Sequence, residues 1–92
     1  MPIGSKERAA LRAAAHGLAA AVHVGQHGIT PALRQSVDDA LRTRELVKIQ
    51  FTRNADVSVR DAANNLARDL HADVVQVIGR TATLFRKKPE SP

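Results

Sequence analysis

Two glycines spaced three residues apart, Gly25 and Gly28, separate a short apolar run from a sequence that starts a helix. The run 19–24 is typical of a buried strand, and Thr30 followed by Pro31 suits an N-cap and a first helical position. Glycines let backbone N–H groups approach a phosphate closely, and a helix start adds unpaired donors. The alternative is a tight turn that needs glycine for a positive φ, because motifs this short occur by chance.

The residues on and after this loop are the first candidate binding residues. Gln26 can hydrogen-bond a phosphate or a 2′-hydroxyl, and His27 adds charge when it is protonated. Arg34 falls in the first turn of the predicted helix, where no acid neutralises the turn, so it is available to an external anion. A solvated surface charge is the alternative for Arg34. The candidates at the loop are Gly25, Gln26, His27, Gly28, Thr30 and Arg34.

Hydrophobic periodicity predicts three helices and four strands. The helices are expected over 6–17, 31–44 and 57–71, and the strands over 20–24, 46–52, 74–78 and 81–86. Ser5 can cap the first helix, and Gly79 with Arg80 forms a two-residue hairpin turn. The expected fold is a single α/β domain, α-β-α-β-α-β-β, over residues 5–88, with flexible tails at 1–4 and 89–92.

The expected sheet is mixed and four-stranded. Residues 46–52 alternate, with Val47, Ile49 and Phe51 on one side and polar residues on the other. Helices should cover the apolar face and leave the other face partly wet. Right-handed crossovers make the first three strands parallel where they are neighbours, and the hairpin adds an antiparallel edge.

Charge and composition point to a polyanionic partner. The 92 residues carry a net charge of +5, and Phe51 and Phe85 are the only aromatic residues. So few aromatics weigh against modules that stack bases on aromatic side chains. Acids are absent from 8–37 and from 74–88. Further candidate contacts are Lys48, Arg80, Arg86, Lys87 and Lys88, although Lys48 could be a solubilising cation and Arg80 simply part of the turn.

Catalytic and metal patterns are weak. His23 and His27 have a spacing that binds zinc on a helix, but here it crosses a strand and a turn. Asp38 and Asp39 are adjacent on a helix and point apart, which is poor geometry for acid–base work. We therefore expect no enzyme, metal, cofactor or small-molecule substrate. The lack of Cys and of any evident targeting or membrane segment favours a cytoplasmic protein, which we expect to be a monomer.

Three separated parts of the chain agree in order and spacing with a known family. They are 25–30, 45–49, and 75–81 together with 84–86. On these segments the chain resembles the CRM domain family, in its stand-alone bacterial YhbY form, over residues 11–86. The family pattern often has Lys at the position of Gln26 and Lys-Pro before the first strand, where this chain has Ala19-Ala20. These two departures remove possible phosphate cations.

The resemblance implies a fold like the C-terminal domain of the third translation initiation factor. It also implies RNA binding through a KH-like GxxG loop and, for bacterial members, association with precursor large ribosomal subunits. We therefore expect an RNA-binding assembly factor. A basic protein-interaction module that docks on an acidic partner is the alternative from a different class.

Overall fold

The computed structural model describes residues 4–55 and 57–87. Within them the chain forms α1 (Ser5–Ala15), β1 (Val22–Val24), α2 (Pro31–Arg44), β2 (Leu46–Phe51), α3 (Val59–Leu70), β3 (Asp73–Ile78) and β4 (Thr81–Phe85). The predicted order and the α/β class with a mixed four-stranded sheet are confirmed. Lys88 and the expected tails at 1–3 and 89–92 lie outside the described residues, whereas Gly4 is the N-cap of α1.

Local capping chemistry sets the start of two helices. The Thr30 hydroxyl accepts a hydrogen bond from the backbone N–H three residues on, at 3.1 Å, and Pro31 is the first residue of α2, as predicted. Ser58 caps α3 in the same way at 3.3 Å, so this helix begins at 59 and not at 57. The predicted N-cap of α1 was wrong, because the cap is Gly4 and Ser5 is the first helical residue.

The strand order is β1-β2-β4-β3. β1 and β2 are parallel neighbours, as predicted, and β4 runs antiparallel to both β2 and β3. The β3–β4 hairpin supplies one edge of the sheet, as predicted. Because β4 lies between β2 and β3, the edge strand is β3. Ala82, Thr83 and Leu84 are all buried, as expected for a strand with neighbours on both sides and cover on both faces.

Two helices, and not all three, cover the apolar face of the sheet. Val47, Ile49 and Phe51 pack there with Val37 of α2 and Leu66 of α3. This face holds the main core because alternate residues of β2 point to the same side. The alternation predicted for this strand is therefore confirmed.

The helix α1 lies on the opposite face, which was expected to be partly wet. Ala15 is its one fully buried residue among those described, and Leu18, beyond the helix end, is 37% exposed. Cations hold the helix in place: Arg8 donates to the carbonyl of Val74, and the Lys48 ammonium donates to the carbonyls at the end of α1. An alanine-rich helix buries little apolar surface, so these polar contacts matter for its docking.

Candidate nucleic-acid interface

Three loops meet where the parallel strands β1 and β2 end. The backbone N–H of Thr52, after β2, donates to the carbonyl of Val24 at the end of β1, at 2.9 Å. The N–H of Phe51 donates to the carbonyl of Arg80 in the hairpin turn, at 2.7 Å. We call this region, residues 25–30, 52–55, 57–58 and 79–80, the loop end of the sheet. The glycine loop and the hairpin turn therefore both lie at the loop end.

The glycine loop is a tight turn that points its two central side chains outward. The N–H of Gly28 donates to the carbonyl of Gly25 at 3.0 Å, and Gly28 has a φ of +64°. Gln26 and His27 are both exposed. Apart from Gly25 itself and its two chain neighbours, no described residue has an atom within 4 Å of where a Cβ on Gly25 would be, so the backbone there is open to a ligand. The turn geometry meets the need of both alternatives, the phosphate cradle and the plain turn.

Two helices begin at the loop end, because α2 follows β1 and α3 follows β2. The first turn of α2 contains no acid, whereas that of α3 contains Asp61. The partial positive charge at the start of α2 is therefore not offset by a carboxylate within its own first turn. Of the two helix starts, the one after the glycine loop is better suited to an anion.

Arg80 is held over the loop end. Its guanidinium donates to the carbonyl of Thr52 at 3.1 Å while the side chain stays exposed. The exposed Arg53 lies in the neighbouring turn after β2, and the exposed Arg60 lies in the first turn of α3. Sequence reasoning missed Arg53 and Arg60. The signal was available for Arg53, since the residues after two parallel neighbouring strands emerge at the same end of a sheet.

Arg34 has an acidic neighbour that its own helix does not reveal. Its Nε lies 3.9 Å from the Asp69 carboxylate of α3, and both side chains are about half exposed. The first turn of α2 contains no acid, as expected, but the packed helix α3 supplies a carboxylate that the local sequence does not reveal. At this distance and exposure the pair is weak, so Arg34 stays accessible to a stronger anion.

The other predicted cations among the described residues lie away from the loop end. Lys48 faces α1, where its ammonium donates to the carbonyls of Ala15 and Leu18, each at 3.3 Å. Arg86 follows β4 at the other end of the sheet, and its guanidinium contacts the Asp38 carboxylate at 2.7 Å. Lys87 is exposed beside it. The predicted site residues therefore do not form one cluster. The glycine loop, Thr30 and Arg80 lie together at the loop end, and Arg34 lies one helical turn further along α2.

A groove of about 580 Å³ runs from the loop end between α2 and α3. Apolar residues, two cations and two carboxylates line it, among them Ile29, Val57, Leu66, Arg34, Arg68, Asp61 and Asp69. Val57 links the groove to the glycine loop, since a Cβ placed on Gly28 would lie 3.4 Å from its Cγ1. The groove therefore continues the same candidate surface.

The structure was also searched for metal and membrane features. Among residues 4–55 and 57–87, no group of three or more His, Cys, Asp or Glu side chains is placed to hold a metal ion. None of the helices in this part of the chain is long and apolar enough to span a bilayer. His16 and His71 are the C-caps of α1 and α3.

These features define a small α/β domain with a GxxG turn, an acid-free helix start and arginines at one end of its sheet. The chain belongs to the CRS1/YhbY (CRM) domain family, whose family model matches residues 3–86. The resemblance inferred from the sequence is confirmed.

Several relatives carry names that state a binding role. The chain is 30% identical over 86 residues to Probable RNA-binding protein YqeI of Bacillus subtilis, covering 94% of this chain and 90% of that protein. It is 29% identical over 90 residues to an RNA-binding protein of Haemophilus influenzae, covering 97% and 90%. A solution structure of a hypothetical Staphylococcus aureus protein, described as a candidate RNA binder, matches with a TM-score of 0.82 at 29% identity, covering 100% of this chain and 95% of the other.

Proposed function

We propose that this protein binds RNA through the loop end of its sheet. The observation that carries the proposal is the convergence at that end of the GxxG turn, the acid-free start of α2 and the Arg80 guanidinium. Family membership and the names of the relatives support RNA as the polyanion. In this proposal the role is binding, which the names of the relatives support.

In this proposal the glycine turn and the helix start hold one phosphate. The open space beside Gly25 admits a phosphate to the backbone. At the start of α2, Pro31 has no N–H and the N–H groups of Leu33 and Arg34 are bonded to Thr30. The N–H of Ala32 then donates to a phosphate oxygen, and the helix dipole favours the negative charge. Gln26 adds a neutral hydrogen bond to a phosphate or a 2′-hydroxyl.

The arginines provide the second, less specific contribution. Arg80 and Arg53 extend the positive surface beyond the turn, and Arg34 continues it along α2. Each cation that contacts a phosphate releases counterions, which makes binding salt-dependent and nearly independent of base sequence. Arg86 is left out of the proposed interface because the protein already satisfies its guanidinium, and Lys87 because it lies at the other end of the sheet.

The RNA we propose is ribosomal RNA of precursor large ribosomal subunits, bound by a cytoplasmic monomer that acts as an assembly factor. The resemblance to stand-alone bacterial members of the family supports this choice. A single compact domain that offers one cation-rich end suits docking on structured RNA.

Sucrose-gradient sedimentation tests the proposal. At low salt the protein should cosediment with large-subunit precursors, and it should move to the free-protein fractions when salt is raised. Crosslinking in cells followed by RNA sequencing should recover ribosomal RNA. Purified protein should bind bare structured RNA but not an acidic protein of equal charge. Binding to the acidic protein alone would instead identify a protein-interaction module.

A further inference from the structure

The sheet face that carries α1 contains a small pocket of about 130 Å³ beyond the end of that helix. It is separate from the groove at α2 and α3, which lies on the opposite face. Residues of β2, β3, β4 and the turn after α1 line it: His16, Lys48, Gln76, Ile78, Thr81 and Thr83. Neither the glycine loop nor the core explains this cluster of polar groups.

Strand register puts the lining groups side by side. Thr83 is paired with Lys48 on one neighbouring strand and with Gln76 on the other. One step nearer the hairpin turn, Thr81 is paired with Ile78. Cross-strand partners on one face have Cβ atoms about 5 Å apart. The polar groups and one apolar side chain therefore converge on an area comparable with a single flat ring.

Two of these groups have hydrogen-bonding capacity to spare. Thr83 is 1% exposed, and its hydroxyl has no hydrogen-bond partner among the described residues. A buried hydroxyl without a partner is costly, so one that lines a pocket points to a ligand that completes it. The Lys48 ammonium uses two donors on the carbonyls of Ala15 and Leu18, which leaves a third donor.

We propose that this pocket receives one unpaired pyrimidine base of the bound RNA. A donor-only ammonium suits a base carbonyl, and the Thr83 hydroxyl and Gln76 amide can each donate or accept at the neighbouring ring positions. Ile78, 59% exposed, offers apolar surface to the ring. Adenine is larger and has no carbonyl. In this proposal Lys48 keeps its contacts with α1, and Gln76, the cross-strand neighbour of Thr83 on β3, changes rotamer to admit the base.

The hairpin turn connects the pocket to the loop end. Ile78 and Thr81 flank the turn on the pocket side, and Arg80 of the same turn is held over the loop end. An RNA strand with a phosphate at Arg80 can place the adjoining base on the sheet face. The inference rests on the proposed RNA-binding function for its physiological ligand, but the pocket itself can be tested without a phosphate.

The first test is a titration of the ¹⁵N-labelled full chain with free nucleosides, followed by amide chemical shifts. Uridine and cytidine should shift the amides of Gln76, Thr81 and Thr83, and adenosine should not. Nucleosides carry no phosphate, so the result is independent of the glycine loop. If no nucleoside moves these amides at millimolar concentration, or if adenosine moves them equally, the pyrimidine pocket is refuted.

The second test uses Thr83→Val, which removes the hydroxyl and keeps the side-chain shape. It should melt no lower than the parent, because the lost group has no partner. It should bind an octamer of uridylates about three- to tenfold more weakly, as expected for one or two lost hydrogen bonds, with an unchanged salt slope. Its affinity for an octamer of adenylates should equal the parent's. The surface variant Ile78→Ser should repeat this pattern.

A loop variant keeps the two proposals distinguishable. Replacing Gln26 and His27 by Asp should weaken both octamers alike if the loop end binds phosphate. This variant could instead bind both octamers like the parent and still show the amide shifts on adding uridine. That result would reject the phosphate site and keep the pocket. The opposite result would be that Thr83→Val binds the uridylate octamer as tightly as the parent, while the loop variant binds both octamers much more weakly. That result would reject the pocket and keep the phosphate site.

Discussion

Arg86, the residue after β4, donates a 2.7 Å hydrogen bond from its guanidinium to the carboxylate of Asp38 in α2. The same guanidinium nitrogen donates to the carbonyl of Leu70 at the end of α3, at 2.9 Å. One side chain thus ties the last strand to both helices of the core face. Both members of the ion pair are largely buried, with side chains 22% and 18% exposed. Arg86 therefore acts inside the fold.

Replacing Arg86 by Leu should lower the free energy of unfolding at pH 7 by about 1.5–3 kcal/mol, as for other hydrogen bonds to charged groups. Urea unfolding followed by circular dichroism measures it. Arg42→Ala is the matched control: its guanidinium contacts the same carboxylate at 3.0 Å, but the side chain is 67% exposed. That change should cost less than about 1 kcal/mol. Equal losses in the two variants would contradict a special role for Arg86.

The same pair predicts how stability depends on pH. The hydrogen bond from Arg86, aided by the charges of Arg42 and Arg86 and opposed by burial, holds the pKa of Asp38 below its ordinary value. The ionised carboxylate therefore stabilises the fold above its unfolded pKa of about 3.9, and this contribution is lost as pH falls through the folded value. The stability gap between parent and Arg86→Leu should narrow below about pH 4. If the difference in unfolding free energy between the two proteins stayed constant down to pH 2, the lower stability of Arg86→Leu would come from packing alone.

Most of the fold could be predicted because local patterns determine it. The alternation in β2 and the Thr30–Pro31 helix start lie within a few residues of one another. The position of β4 between β2 and β3 depends on pairing between distant segments, which a local pattern does not specify. One local feature did indicate a central position for β4: residues 81–85 carry no charge, which is typical of a strand covered on both faces.

The candidate site was only partly predictable for the same reason. The glycine loop is local, and its turn was expected. Whether a cation is accessible depends on its tertiary neighbours. Arg34 forms an ion pair with Asp69, and Arg86 forms one with Asp38. The Lys48 ammonium donates a hydrogen bond to a carbonyl at the end of α1. Charge counted along the sequence cannot show such pairs. Arg53 was missed because it follows a strand and belongs to no motif of its own.

His71 ends α3 in the left-handed region, with φ 56° and ψ 44°. This conformation is unfavourable for a residue with a Cβ and costs glycine nothing. His71→Gly should therefore raise the unfolding free energy by up to about 1 kcal/mol. Thermal unfolding measures the change, and His71→Ala, which keeps the Cβ, is the control. A gain of equal size with alanine would show that the imidazole, and not the backbone, limits stability.

The two loop glycines should respond differently to alanine. Gly28 has a positive φ, so Gly28→Ala should lower stability by about 1–2 kcal/mol. Gly25 has no positive φ and open space at its Cβ, so Gly25→Ala should fold like the parent. The added methyl should still keep a phosphate from the backbone and weaken RNA binding about three- to tenfold, the loss of one or two hydrogen bonds. Unchanged RNA affinity in Gly25→Ala would argue that the loop is only a turn.

Two carboxylates on the loop should repel a bound phosphate. The double variant Gln26→Asp, His27→Asp changes exposed side chains only, so its melting temperature should match the parent's. Its affinity for structured RNA should fall more than tenfold, which is over about 1.4 kcal/mol. Fluorescence anisotropy at fixed salt measures the affinity. The variant Gln26→Asn, His27→Asn is the neutral control and should lose much less. Parent-like binding by the aspartate variant would remove the loop from the interface.

The position of a cation, and not its charge alone, should decide its effect on RNA binding. Arg53→Ala and Arg80→Ala each remove a positive charge from the loop end. Each should lower the log–log salt slope of the binding constant by roughly 0.7–0.9 if the side chain contacts a phosphate. Lys87→Ala removes the same charge from an exposed residue at the other end of the sheet and should leave the slope unchanged. Salt titrations of all three variants on one structured RNA make the comparison. Equal falls in slope for all three would mean that the whole basic surface attracts RNA, with no preferred contact at the loop end.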